Sequence, residues 1–317
     1  MLALVLAAGA LSHQQSLSVN RIVHTVMRDH DIDGLAVGVV VGSRKTARAY
    51  GFTDRFHSER VHPQTRFAIG SLSKSILAAS ARRLRAAGRL HFRMPVRAID
   101  PAYRIAENVT LATLLAQRSG IPDYAQLPSF NRFSREPQSP QALVARVADL
   151  PLLFRPGSRT SYSNTNYVLA GMAIQTATGL PLETIEREEV LAPLGMRETR
   201  TWQPFVFEAR RAWGNVAPGS PTLAFGAADL ESSATDLDRW MNALLSRRMS
   251  TGAIGFWSGR LFGFDVTAES GYINGFSAYM LLAPQRSSGV VILCNADRID
   301  LGPLAQSILA AALNMPD

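Results

Sequence analysis

Strand patterns in this chain occur only near its two ends, and that placement limits the folds open to it more than any other feature. Residues 35–41 are almost wholly apolar and residues 45–50 alternate, with Gly42 and Ser43 as a turn between them. Residues 256–264, 276–282 and 289–295 are again short, aromatic or β-branched, and bounded by turn residues. From Ser73 to about Thr251, Ala/Leu/Arg-rich helical segments alternate with loops such as Ser119-Gly120-Ile121-Pro122 and Arg155-Pro156-Gly157. Strands left unpaired at both ends would expose aggregation-prone edges, so the two groups are expected to meet in one antiparallel sheet. The expectation is an α+β fold, an α/β sandwich. Its sheet comes from about residues 32–70 and 254–317, flanked by helices, with a mainly helical subdomain inserted at about 75–250. Val19, Ile22, Val23, Val26 and Met27 mark one face of an amphipathic helix that closes near Gly34, and residues 301–313 form a last helix. With no internal repeat or low-complexity segment, residues 18–317 read as a single domain.

The chain carries 33 basic and 25 acidic side chains, a net charge of +8 that would suit an anionic partner. Only Lys45 and Lys74 are lysines, however, and the arginines are scattered rather than gathered into a run, so no nucleic-acid partner is expected. Cys294 lies in the apolar stretch 290–294, where a thiol acts as a small hydrophobe; neither a disulfide nor a metal site follows. The six histidines all precede residue 92 and none has HExxH spacing, which argues against a zinc hydrolase. There is no Gly-x-Ser-x-Gly, and no Walker sequence or GxGxxG follows a strand. No metal and no cofactor are expected. Residues 1–17 are set apart as a signal peptide or apolar N-terminal segment. Their apolar run ends in Ala7, Ala8, Gly9 and Ala10 but lacks a basic start, so a periplasmic or secreted location is an expectation from half a signal. No other stretch approaches the roughly 18 uncharged apolar residues of a membrane span. The oligomeric state stays open.

The chemistry gathers at two short motifs. In the first, Ser71 opens a helix that continues through Leu77 and Leu84, and Lys74 lies one turn further on the same face. At a helix N-terminus the Ser71 N–H is free to face a developing oxyanion. A serine needs a base within hydrogen-bond reach, and an amine serves when burial or neighbours hold it neutral. In the second, Tyr162 and Asn164 precede an apolar helix that stops at Gly179. A phenol beside an amine can relay a proton to a leaving group, and the Asn164 amide can hold both Lys74 and a substrate carbonyl. Chance predicts roughly 0.2 occurrences of each spacing in this composition and roughly 0.04 of both together. The plainer readings are a solvated Lys74, a Tyr162 packed on the core and an Asn164 that caps its helix.

Together, Phe67-x-x-Gly-Ser71-x-Ser-Lys74, Leu114-Leu115-x-x-x-Ser119-Gly120-Ile121-Pro122 and Pro156-Gly157-x-x-x-x-Tyr162-Ser163-Asn164-x-x-Tyr167 resemble the class C β-lactamase family in its broad sense, which includes penicillin-binding proteins, DD-peptidases, D-amino-acid-specific peptidases and esterases. Leu194-Gly195-Met196, 233–237, Gly275-Phe276-Ser277 and Asn295 extend the likeness over nearly the whole chain. It implies a cofactor-free acyl-enzyme mechanism in which Ser71 attacks a carbonyl while Lys74 and Tyr162 move its proton. The family's third motif falls at Glu269-Ser270-Gly271, where the N–H of Tyr272 would be the second oxyanion donor. Glu269 departs from the family, which has a cationic or neutral ring group there to help bind a substrate carboxylate. An acid repels that carboxylate. The small-molecule or peptide-like acyl substrate is therefore expected to be an ester or amide lacking one. A β-lactam or D-Ala-D-Ala substrate is the alternative, a weakly active ligand-binding or cell-wall-binding module is another, and recognition of a substrate ammonium by Glu269 is the boldest.

Overall fold

The computed structural model describes residues 11–99, 108–203, 209–216, 219–252 and 254–315. The first helix, α1 (His13–Asp29), starts six residues before Val19 because Ser12 caps it: its Oγ accepts from the Gln15 N–H while Gln15 Oε1 accepts from the Ser12 N–H. Residues 13–17 of the expected leader are thus its first turns, and residues 1–10 lie outside the described residues. Next come β1 (Gly34–Val41), β2 (Arg44–Gly51), β3 (Phe67–Ala68) and α2 (Ser73–Ala86). Past several short helices, α3 (Asn164–Thr178), β4 (Arg200–Thr201), β5 (Leu230–Ser232) and α4 (Ala234–Leu245) follow. The chain ends with β6 (Trp257–Leu261), β7 (Phe264–Ile273), β8 (Phe276–Ala283), β9 (Ser288–Cys294) and α5 (Gly302–Ala312).

The two ends do share one antiparallel sheet, in the order β2-β1-β9-β8-β7-β6. Strand β1 reads as continuous apolar sequence because both its faces are covered. Leu35, Val37 and Val39 pack with Val19, Val23, Leu304 and Ile308 of α1 and α5, whereas Ala36 and Val40 pack with Ile76, Trp240 and Met241 of α2 and α4. Each such Leu, Ile or Val contributes about 1.5–3 kcal/mol of burial, so a one-residue register slip would be costly. Asn295, just past β9, closes the seam: its Oδ1 accepts from the Gly34 N–H at 2.7 Å and its Nδ2 donates to the Phe52 and Thr53 carbonyls.

One expectation needs correction. Residues 256–264, read as one strand, are the hairpin β6–β7, because Phe262 (φ +49°) and Gly263 (φ +82°) turn the chain inside an aromatic run that hides the turn. The mainly helical inserted region also carries the two short strands β4 and β5. Strands β3, β5 and β4 form a second sheet in that order, each too short to show a periodicity. On this small sheet, buried Glu231 of β5 pairs with Arg66, Arg200 and Arg211, so three of the scattered arginines converge on one carboxylate. Helix α3 forms the centre of the helical region: its stretch 165–174 is buried all round, against Leu77, Leu84, Leu114 and Val144. No helix among the described residues is long and apolar enough to cross a membrane.

Candidate active site

The turn that carries Ser71 is built from glycine. Gly70 (φ +52°) begins a 3₁₀ turn, Gly70–Leu72, that runs into α2, and Ser71 sits at its middle. A Cβ on Gly70 would lie 2.6 Å from the Tyr272 nitrogen. One on Gly271 would lie 2.1 Å from the Ile69 carbonyl oxygen and 3.3 Å from the Ser71 nitrogen. Only two glycines facing each other let β7 come this close to the turn, and the result puts the backbone N–H groups of Ser71 and Tyr272 in one neighbourhood.

Lys74 is 1% exposed and is not the solvated lysine of the plainer reading. Its Nζ lies 3.0 Å from Ser71 Oγ, 3.0 Å from Asn164 Oδ1 and 2.6 Å from the Ala227 carbonyl oxygen. The last two are pure acceptors. A neutral amine that gives its two protons to them is left with its lone pair for the third direction, where the Ser71 hydroxyl stands. The rings of Tyr162 and Tyr167, centred 4.9 and 5.4 Å from Nζ, close the pocket. On the open side, the Tyr162 hydroxyl is 2.6 Å from Ser71 Oγ and 3.4 Å from Asn164 Oδ1. Tyr162 is half exposed, so it is no core tyrosine. Nor is Asn164 the cap of α3: Ser163 occupies that position and Asn164 turns inward.

Two partners of this cluster escape sequence reading. Asp123, buried in the loop after Pro122, accepts from Asn164 Nδ2 at 3.0 Å through Oδ2 and from the Ala125 N–H through Oδ1. Burial pushes its carboxyl up, and these hydrogen bonds and the Lys74 cation pull against that. The Ser119–Pro122 motif delivers it. Ser119 Oγ donates to Asn166 Oδ1, Thr165 Oγ1 donates to the Pro122 carbonyl, and Gly120 (φ +80°) leaves space where a Cβ would meet the Phe154 carbonyl oxygen at 2.3 Å. The motif next to Asp123 was visible in the sequence, but nothing there said which way the loop faces. The second partner is the Ala227 carbonyl. It stands in a loop that Gly226 shapes by donating its N–H to Asp229 Oδ2 at 2.7 Å, and a main-chain oxygen leaves no mark in a sequence pattern.

On β7, parity separates the third motif. Phe264, Val266 and Ala268 belong to the α1/α5 side, and Ser270 pairs with Tyr279 of that same side. Glu269 pairs instead with Met280, whose cluster lies on the α2/α4 side, so Glu269 and Gly271 share the face toward Ser71 while Ser270 does not. Tyr272 has the parity of Ser270, and its half-exposed ring leaves only its backbone near Gly70. Burial pushes the Glu269 carboxyl up to about 7, with the Lys74 cation pulling it down.

A protein-family model described as Beta-lactamase matches residues 19–313 of the chain. The protein flp of Staphylococcus aureus (strain MW2) is 24% identical over 320 residues, covering 90% of this chain and 64% of its own length. The chain spans 59% to 64% of the length of the curated relatives it matches. Among solved structures, the octameric penicillin-binding protein homologue from Pyrococcus abyssi superposes with a TM-score of 0.83 at 22% identity, covering 95% of this chain and 78% of its own. D-amino acid amidase from Ochrobactrum anthropi SV3 superposes with the same TM-score and identity, over 95% of this chain and 98% of its own. At such identities the likeness establishes the fold.

Proposed function

The chain belongs to the Beta-lactamase family, and from that membership together with the geometry around Ser71 we propose that it is a serine hydrolase that cleaves an ester or amide through an acyl-enzyme. The observation that carries the reading is the placement of Ser71 Oγ between the Lys74 amine at 3.0 Å and the Tyr162 hydroxyl at 2.6 Å. In acylation, a bond forms between Ser71 Oγ and the substrate carbonyl carbon, and the Ser71 proton passes to Lys74 Nζ. The oxyanion is held by the Ser71 and Tyr272 N–H groups. When the bond to the leaving group breaks, Tyr162 donates its proton to the departing atom and recovers one from Lys74. Water then attacks the acyl carbon, giving its proton to the neutral Lys74 amine, and as the acyl–Oγ bond breaks Lys74 returns that proton to Ser71 Oγ.

Two further features support this over a binding module. Lys74 is buried among acceptors rather than set out toward a ligand, and Asp123 holds the Asn164 amide in the one orientation that places an acceptor against it. Glu269, on the face of the nucleophile, supports a substrate without the carboxylate that β-lactams and D-Ala-D-Ala peptides carry. A fluorophosphonate probe that labels the wild type but not Ser71→Ala is the expected result. Absence of label on the wild type would count for the binding module. Turnover of a p-nitrophenyl ester should exceed that of nitrocefin, and the reverse order would overturn the argument from Glu269.

A further inference from the structure

We propose that Glu269 sets the specificity of this site by pairing with a substrate cation, so that the preferred substrate is an ester or amide bearing a free ammonium near the scissile carbonyl, such as an amino-acid amide or the free N-terminus of a short peptide. The inference rests on Ser71 being the nucleophile and adds the class of substrate to that reading.

Position is the first support. Glu269 lies two residues before Gly271, whose Cα abuts Ile69 and Ser71, and on the same face of β7. Two residues along a strand span about 7 Å, roughly one substrate residue away from the acyl carbon. An ammonium on the carbon next to the scissile carbonyl falls within that reach, given the length of the glutamate side chain.

The second support is that the carboxyl is left without a partner by the protein itself. Among the described residues the Glu269 carboxyl makes no hydrogen bond and no ion pair, its backbone alone being bonded in β7. The nearby Lys74 amine has its three directions taken by Ser71, Asn164 and the Ala227 carbonyl. The other titratable groups whose fields meet Glu269 are neutral phenols, Tyr167 of α3 and Tyr279 of β8, both pushed up first by burial. A half-buried carboxylate with no fixed partner is costly, and a ligand cation relieves that cost in the bound state alone. Such a group adds little to the empty fold and much to discrimination between substrates.

The test compares an amino-acid p-nitroanilide with its N-acetylated counterpart, in both D and L forms, on the wild type, Glu269→Gln and Glu269→Lys. The wild type is expected to favour the free amine by about tenfold or more in kcat/KM, which is about 1.4 kcal/mol of discrimination. In Glu269→Gln the ratio should fall toward one, and in Glu269→Lys an N-succinyl substrate should overtake the free amine. The wild-type ratio should also rise with pH from about 6 to 7.5, because Glu269 gains charge through about 7 while an α-amine stays mostly protonated below about 7.7. That profile needs no variant to fold. A wild type indifferent to the amine, or a preference untouched in Glu269→Gln, overturns the inference. A neutral p-nitrophenyl ester run alongside separates the two levels: its turnover, lost in Ser71→Ala, leaves the hydrolase reading standing even then. Failure of all substrates with no label on Ser71 removes both.

Discussion

Asn164 Nδ2 donates to Asp123 Oδ2 at 3.0 Å, and this bond decides which end of the Asn164 amide faces Lys74. An amide has a donor end and an acceptor end of nearly equal size. Only a neighbour that accepts and cannot donate holds Asn164 with Oδ1 toward the amine.

Replacing Asp123 with Asn removes that bias, because either end of Asn164 then finds a partner. The expected outcome for Asp123→Asn is a fall in kcat of about 10²-fold, as for a displaced catalytic group, with KM for a neutral ester changed far less. Steady-state kinetics on a p-nitrophenyl ester decide it; an unchanged kcat would show that Lys74 alone orients the amide.

Ser71, Lys74 and Tyr162 touch one another, so their losses should not add. Tyr162→Phe deletes the hydroxyl 2.6 Å from Ser71 Oγ and is expected to lower kcat by about 10²–10⁴-fold, the usual contribution of a positioned proton donor. Ser71→Ala should cost more, and the double variant no more than Ser71→Ala. Measured losses that multiply would mean that the phenol acts elsewhere.

Gly271→Ala tests the close approach of β7. Its new methyl would overlap the Ile69 carbonyl oxygen, which a Cβ reaches at 2.1 Å, so strand and turn must part. Overpacking of this kind costs about 1–3 kcal/mol, read by urea denaturation. The rate should suffer beyond what that loss explains, because the Tyr272 N–H moves away with the strand. A stable variant of normal rate would exclude this N–H from the reaction.

Glu186 and Asp229 give a pH test of stability. Burial pushes both carboxyls up, the Asp229 charge adding to the rise at Glu186, and Glu186 Oε1 and Asp229 Oδ1 are buried without a hydrogen-bond partner. A raised folded-state value means the native state holds protons that the unfolded chain has already released above about pH 4. The contribution is therefore whole at low pH and declines as pH rises through the folded values. Glu186→Gln and Asp229→Asn, which cannot ionise, should gain in Tm relative to the wild type between about pH 5 and pH 8. A difference in Tm that stays constant across this range would show that neither carboxyl titrates there.

Legibility in the sequence followed the nature of each signal. The helix carrying Ser71 and Lys74 was readable because i and i+3 on any helix share a face, whatever surrounds it. The stop of α3 at Gly179 was readable because a left-handed cap demands glycine, and its φ of +70° agrees. The second sheet was not, since strands of two or three residues carry no period. The turn at Phe262 and Gly263 was masked because the residue before the glycine is itself aromatic and apolar.

By itself, the sequence determined the order of elements, the meeting of the two ends in one sheet and the residue types able to act at Ser71, Lys74 and Tyr162, because these depend on periodicity and on near neighbours along the chain. Tertiary structure alone decided that the Ala227 carbonyl takes a proton direction of Lys74, that Asp123 orients Asn164, and that Glu269 rather than Ser270 lies on the side of Ser71. Those depend on which groups approach from distant segments when backbones pack within a few ångströms. No local pattern encodes that approach.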